Sequence, residues 1–150
     1  MNFLLDTNIV LIYIRDTELT RRLESRLNLL RTENNLVLSV VTLGELLSIS
    51  KQNSWGQSKT QQMERILSRF VIADIHVQTI IERYAEIDAF SQGRLTGTSS
   101  DFSSRNMGKN DIWIAATASV LGLELLTTDK DFDHLHGHFV KLNRIDPTII

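Results

Sequence analysis

Acidic side chains stand at the ends of predicted strands or the starts of predicted helices, where they could share one site. They are Asp6, Glu45, Asp111 and Asp129. Carboxylate oxygens are hard ligands that suit Mg²⁺ or Mn²⁺ rather than zinc. Carboxylates that converge repel one another, which raises their pKa values unless a cation neutralises them. Because a divalent ion can activate water and stabilise a departing oxygen, these acids predict a site for phosphodiester hydrolysis.

Each of these acids also has a purely structural interpretation. Asp6, Asp111 and Asp129 stand where helix N-caps belong, and an N-cap stabilises a helix by about 1 kcal/mol. Thr42 and Glu45 have the spacing of a capping box, in which the glutamate reaches back to the backbone of the threonine. Taken singly, each acid is more typical of a cap than of a ligand. Taken together, they favour a shared cation.

Strands that alternate with helices must position the acids. Short apolar runs predict strands at residues 2–5, 36–39, 71–75, 123–127 and 139–142. Helical periodicity and capping residues predict helices at residues 8–15, 17–31, 43–53, 58–70, 77–88 and 112–121, with a loop at 97–106. This alternation is typical of a three-layer α/β/α domain with a short, mostly parallel central sheet. Such sheets bind ligands beyond the carboxyl ends of their strands.

Length and composition narrow the class of protein. The chain of 150 residues suits one domain over residues 1–150. Its 16 Lys and Arg residues against 18 Asp and Glu residues give a net charge of −2, which argues against a protein that only coats nucleic acid. The absence of cysteine excludes disulfides and thiolate metal ligands. The N-terminus lacks a signal-peptide pattern, and no apolar run is long enough for a membrane span, so we expect a cytoplasmic protein without membrane association.

Basic residues precede Asp111 and could bind a polyanionic substrate. Arg94, Arg105 and Lys109 fall in a segment whose only acid is Asp101, and they are the candidate contacts to phosphate groups. A solvated loop is the alternative interpretation of this segment. Further along, His134, His136 and His138 alternate in a stretch that predicts a surface turn rather than a metal site.

Longer segments around the acids resemble a known family. The segments are Leu4-Leu5-Asp6-Thr7-Asn8, Thr42-Leu43-Gly44-Glu45-Leu46, Asn110-Asp111-Ile112-Trp113-Ile114-Ala115-Ala116 and Leu126-Thr127-Thr128-Asp129-Lys130-Asp131-Phe132. In order and spacing they resemble the motifs of PIN domains, and among these the VapC-type toxins of bacterial toxin–antitoxin pairs. The resemblance implies one PIN domain that cleaves RNA with Mg²⁺ or Mn²⁺, forms a homodimer and is inhibited by a cognate antitoxin.

The resemblance also implies roles for individual residues. Asp6, Glu45, Asp111 and Asp129 would form the acidic metal cluster. Thr7, Asn110 and Thr128 would be polar groups that orient carboxylates or water. Asp131 lies two residues after Asp129 and is a second candidate for the fourth acid, although Asp129 is favoured because it follows the strand more closely. Hydrolysis by this route would leave a 5′-phosphate and a 3′-hydroxyl.

Other functions are compatible with parts of the sequence. The chain could be a PIN-fold binding or assembly module with little or no nuclease activity, or a housekeeping RNA-processing nuclease. A response-regulator receiver would carry an acidic pair at its first strand, whereas Asp6 stands alone. A haloacid-dehalogenase-like phosphatase would carry a second aspartate where this chain has Asn8. The toxin remains the favoured prediction.

Overall fold

Helices and strands alternate along the chain. Its structure, a computed structural model, describes residues 1–97 and 102–150; residues 98–101, within the predicted loop, lie outside the described part. The elements are β1 (Asn2–Leu5), α1 (Thr7–Arg15), α2 (Thr17–Leu27), β2 (Asn35–Ser39), α3 (Val40–Gln52), α4 (Gln57–Leu67), β3 (Val71–Ala73), α5 (Gln78–Ser91), α6 (Lys109–Leu121), β4 (Glu124–Thr127), a 3₁₀ helix (Lys130–Leu135) and β5 (Lys141–Arg144).

The strands form one sheet in the order β3-β2-β1-β4-β5, and every neighbouring pair is parallel. The chain therefore extends from β1 to β2 and β3 on one side and later adds β4 and β5 on the other. The strand order reverses between β1 and β4, where an open α/β sheet leaves a crevice at its carboxyl edge. The backbone N–H of Asp6 donates to the carbonyl of Leu126 at 2.9 Å, which extends the β1–β4 pairing to this edge.

Both faces of the sheet are covered, which confirms the three-layer prediction. Leu4 and Leu125 belong to a core that includes side chains of α5 and α6. Phe3, Leu5 and Leu126 belong to a second core with side chains of α1, α2, α3 and α4. Successive strand residues point to opposite faces, so continuous apolar runs are what a doubly covered sheet requires. Within the described ranges, no helix combines the length and apolar character needed to cross a membrane.

Several predicted boundaries differ from the structure by two to four residues, and two of these differences have identifiable reasons. Helix α2 ends at Leu27 rather than at Arg31, because Asn28 adopts a left-handed conformation with a φ of 49°. Strand β5 runs over Lys141–Arg144 rather than 139–142. Among the described strands it pairs only with β4, so it forms an edge of the sheet, where a strand does not need a continuous apolar run.

Candidate active site

Asp6 serves as a helix cap and as part of the acidic site at once. It is 4% exposed at the end of β1 and is the N-cap of α1. Its Oδ1 accepts a hydrogen bond from the backbone N–H of Thr7 at 2.8 Å. Its Oδ2 accepts one from the hydroxyl of Thr127 at 2.7 Å, across the β1–β4 crevice. The capping and ligand interpretations of this residue are therefore compatible.

Three further carboxylates meet beside it. One oxygen from each of Asp111, Asp129 and Asp131 lies within 4.8 Å of the other two. Asp111 is in the first turn of α6, whose N-cap is Gly108, so Asp111 is not the cap that its sequence position suggested. Asp129 is the N-cap of the 3₁₀ helix and accepts a hydrogen bond from the backbone N–H of Asp131 at 2.9 Å. The structure thus places Asp131 in the cluster together with Asp129.

Glu45 faces α1 rather than the start of its own helix. Its Oε1 accepts a hydrogen bond from the hydroxyl of Thr7 at 2.8 Å, and that hydroxyl also lies 3.1 Å from the hydroxyl of Thr42. The N-cap of α3 is Ser39, whose Oγ accepts from the backbone N–H of Val41 at 3.1 Å. The capping-box interpretation of Thr42 and Glu45 is therefore wrong. Thr7 therefore contacts one of the acids, and its role in orienting carboxylates or water stays a prediction.

The acids affect one another electrostatically. Burial, followed by the charges of Asp6, Asp129, Glu45 and Asp131 in that order, raises the pKa of Asp111 to about 7. Burial also raises the pKa of Asp6 above its ordinary value, against the hydrogen bonds from Thr127 and Thr7, and the Glu45 and Asp129 charges add to the increase. Excess negative charge is thus concentrated where the carboxylates meet, and a cation would relieve it.

The donor set fits a divalent ion of the magnesium type. All the acidic donors are oxygen atoms, and ligands on opposite sides of a Mg²⁺ ion lie roughly 4.2 Å apart, since each bond is about 2.1 Å. One oxygen from each of Asp111, Asp129 and Asp131 lies within 4.8 Å of the other two, so the three carboxylates are close enough to approach one ion. Asp6 and Glu45 are not part of this group of three, but their charges act on Asp111.

Among the described residues, Thr127 rather than Thr128 contacts Asp6 and Asp129. Besides donating to Asp6, the hydroxyl of Thr127 accepts a hydrogen bond from the backbone N–H of Asp129 at 3.0 Å. Thr128 instead lines a groove beside α1 and α2. Adjacent residues of an extended chain point in opposite directions, so the threonine two positions before Asp129 is the one that faces the crevice. Asn110, the other predicted polar group, is exposed and lines a groove with Glu45.

Open space adjoins the acids on two sides. A groove of about 470 Å³ runs along α3 and is lined by Gly44, Glu45 and Asn110 among others. A smaller pocket of about 220 Å³ is lined by Arg105, Asn106, Met107 and Asp131. Glu45 and Asp131 thus each line an opening along which a long substrate could reach the site.

The predicted cations lie on the surface. Arg94, Arg105 and Lys109 are all exposed. Arg105 lines the smaller pocket beside Asp131, and Lys109 begins α6 two residues before Asp111. Arg94 lies in the turn after α5, with its backbone N–H bonded to the carbonyl of Ala89. Across residues 1–97 and 102–150, no ion pair joins any of these cations to an acid.

Comparison with known proteins agrees with this geometry. The family model described as PIN domain matches residues 3–137. The chain belongs to the PIN domain family. PIN domains are nucleases, and they typically use divalent metal ions. No curated protein matches the sequence at a significant level.

Solved structures share the fold of this PIN domain over almost the whole chain. VapBC2 from Rickettsia felis, bound to a DNA fragment from its promoter, has a TM-score of 0.73 and 22% identity over 96% of this chain and 98% of that chain. FitAcB from Neisseria gonorrhoeae has a TM-score of 0.67 and 26% identity over 100% of both chains. A toxin–antitoxin complex from Klebsiella pneumoniae has a TM-score of 0.65 and 24% identity over 97% of both chains.

Proposed function

We propose that this PIN domain protein is a Mg²⁺- or Mn²⁺-dependent endoribonuclease and the toxin of a toxin–antitoxin pair. The observation that carries the proposal is the convergence of Asp111, Asp129 and Asp131, with Asp6 and Glu45 beside them, at the reversal point of a PIN-type sheet. Carboxylates this close together repel one another, which destabilises the folded protein unless a cation neutralises them. A role in metal-assisted hydrolysis explains why the acids converge, whereas helix capping does not require them to be close together.

Each acid has a proposed part in holding the metal. Asp111, Asp129 and Asp131 would hold it directly, and Asp6 and Glu45 would complete the shell or bind water molecules around it. The ion, when bound, would activate water and stabilise the departing oxygen of the phosphodiester. Thr127 and Thr7 keep Asp6 and Glu45 oriented through their hydroxyl groups. Such supporting contacts tune metal affinity because they fix the direction of the ligand lone pairs.

The substrate's phosphates would be bound by the cations around the cluster. Arg105 lines the pocket beside Asp131, Lys109 begins α6 two residues before Asp111, and Arg94 lies in the turn after α5. Since these side chains have no acidic ion-pair partner among the described residues, their charge is available to phosphate. The grooves beside Glu45 and Asp131 would accept the strand on either side of the cleaved bond.

Two protein partners form part of the proposal. A cognate antitoxin is supported by the solved neighbours, which include a toxin–antitoxin complex. A homodimer is supported by exposed apolar side chains on the edge strand β3 and around the start of α5, namely Val71, Ile72, Val77 and Ile81. Edge strands and apolar patches of this kind are typical of association surfaces. A ribonuclease toxin would act in the cytoplasm, where its RNA substrate is found.

The test compares the cleavage of total RNA by wild type, Asp111→Asn and the control Glu64→Gln. Each protein is assayed with Mg²⁺, with Mn²⁺ and with chelator. We expect the wild type and the control to cut only with metal and to leave 5′-phosphate ends. Asp111→Asn should be at least about 100-fold slower, since even residues that only support metal ligands can cost that much. Glu64 is a suitable control because it is an exposed acid on α4.

Two results would overturn the proposal. Cleavage that is equal in wild type and Asp111→Asn would show that the acidic cluster is not the source of the activity. Products with a 2′,3′-cyclic phosphate would show attack by the RNA's own hydroxyl instead of by water. If neither protein cuts RNA and neither binds Mg²⁺ or Mn²⁺, the chain is a PIN-fold binding module.

A further inference from the structure

A buried histidine and serine form a contact that the proposed hydrolysis does not use. His134 lies in the 3₁₀ helix and is 9% exposed, although the sequence around it predicts a surface turn. Its Nε2 lies 2.7 Å from the hydroxyl of Ser91, the last residue of α5, which is fully buried. The same hydroxyl lies 3.3 Å from the sulfur of Met107. The contact therefore joins segments that are far apart in sequence.

Residues 102–107, which precede α6, are bound to the region around Ser91 and His134. The backbone N–H of Arg105 donates to the carbonyl of Ser91 at 2.6 Å. The hydroxyl of Ser104 donates to the carbonyl of Gln92 at 2.7 Å. The ring of Phe102 lies 5.0 Å from the ring of His134, between centroids. Residues 102–107 are thus held against the end of α5 and the 3₁₀ helix together.

Burial and nearby charges act on the pKa of His134 in opposite directions. Burial lowers the pKa of His134 below its ordinary value, and the nearby charge of Arg105 lowers it further, while the backbone and charge of Asp131 act in the opposite direction.

We propose that Ser91 and His134 are positioning residues that hold Arg105 and Asn106 against the acidic cluster, so that these two side chains bind an RNA nucleotide next to the cleaved bond. This inference rests on the proposed ribonuclease function and identifies how part of its substrate site is built. Arg105, Asn106 and Met107 line the pocket beside Asp131, and the pair contacts this segment through Met107 and the backbone of Arg105. An arginine and an amide in a preformed pocket suit the phosphate and base edge of one nucleotide.

The alternative is that the pair only stabilises the core. To separate the two, the hydrogen bond is removed while the packing is kept, with His134→Phe and Ser91→Ala. His134→Gln is the rescue variant, because its amide N–H can still donate to Ser91. Ile87→Val is the matched control: Ile87 is fully buried on the same helix, one turn before Ser91, and its truncation weakens the core without altering the pair.

The first measurement is KM and kcat for a mixed-sequence single-stranded RNA with Mn²⁺. Loss of one hydrogen bond should raise KM by about three- to tenfold in His134→Phe and Ser91→Ala, with kcat and the Mn²⁺ dissociation constant within about twofold of wild type. His134→Gln should recover most of the wild-type KM. Ile87→Val should leave KM unchanged although it lowers the stability. A pair that only stabilises would instead behave like Ile87→Val.

A double-mutant comparison tests whether the Ser91–His134 pair affects KM by positioning Arg105. Arg105→Gln alone should raise KM, and adding Ser91→Ala should then raise KM by less than it does in the wild-type background, since only Asn106 is left to be positioned. Multiplicative effects on KM would show that the pair and Arg105 act independently, which would overturn the proposal. An unchanged KM in both Ser91→Ala and His134→Phe would overturn it as well.

Amide hydrogen exchange provides a readout that does not depend on activity. The backbone N–H of Arg105 should exchange about three- to tenfold faster in Ser91→Ala and His134→Phe than in wild type or Ile87→Val. If wild type fails to cleave RNA, the proposed function fails, but exchange at Arg105 still decides whether the pair holds the segment. Exchange that is unchanged in both variants would overturn the positioning role.

Discussion

Replacing Asp111 with asparagine should stabilise the metal-free protein at pH 8, because it removes a charge that folding places among other acids. The pKa of Asp111 rises from 3.8 to about 7 in the folded chain. Each unit of such a shift is about 1.36 kcal/mol, which would correspond to about 4 kcal/mol for a fully shielded group. Asp111 is only half-buried, and solvent screening reduces the expected gain to about 1–2 kcal/mol.

The sign of the pH dependence follows from the raised pKa. The folded protein holds the Asp111 proton more tightly than the unfolded chain does, so this residue favours folding most at pH values below 3.8. That contribution is lost as the pH rises through about 7. Without metal, the free energy of unfolding of the wild type should therefore fall between about pH 4 and pH 8. The Asp111→Asn variant should show a smaller fall.

Urea unfolding in chelator at a series of pH values measures this difference, and a second series with Mg²⁺ measures the effect of the ion. Saturating metal at 100 times its dissociation constant should stabilise the wild type by about 2.7 kcal/mol. Asp111→Asn should gain much less, so the order of stability of the two proteins should reverse on adding Mg²⁺. Glu64→Gln should follow the wild type throughout. If Asp111→Asn is no more stable than wild type at pH 8 in chelator, the acids do not repel one another as the geometry requires.

Three further predictions concern the same site. Thr127→Val should weaken Mn²⁺ binding about tenfold in a calorimetric titration, because Asp6 loses an orienting hydrogen bond. Thr128→Val is the control and should leave Mn²⁺ binding unchanged. Equal effects of the two substitutions would contradict the assignment of Thr127 as the residue that orients Asp6. Arg105→Glu should weaken binding of single-stranded RNA and reduce the slope of log affinity against log salt concentration by about 1, because one phosphate contact is lost. An unchanged slope would show that Arg105 does not contact the RNA. Mn²⁺ affinity should rise between pH 6 and pH 8 as Asp111 loses its proton, and a flat profile would refute its raised pKa.

Much of the architecture could be predicted from local patterns. The apolar runs at 2–5 and 123–127 predicted strands, and their length and continuity indicated a sheet covered on both faces. Asp6 and Asp129 were recognisable as candidate ligands because they follow those strands closely. Where local conformation overrides pattern, prediction failed: Asn28 ends α2 early although the apolar spacing continues to Leu30.

The details of the candidate site required long-range contacts that no local pattern encodes. The pairing of β1 with β4, which lie more than a hundred residues apart, decides that Thr127 rather than Thr128 reaches Asp6. Asp131 was ambiguous because residues two apart share a face only in a strand, and the 3₁₀ turn there brings it beside Asp129 through the cap. Neither the register of the β1–β4 pair nor the turn conformation can be deduced from apolar periodicity.

Residue types and their spacing are enough to predict acids at strand ends in an alternating α/β pattern. They are not enough to predict the partners of each side chain. His134 has the sequence surroundings of an exposed turn, yet it is buried because α5 and residues 102–107 fold over it. Burial and hydrogen bonding depend on which segments meet in space, and that is decided by the free energy of the whole fold rather than by any one segment.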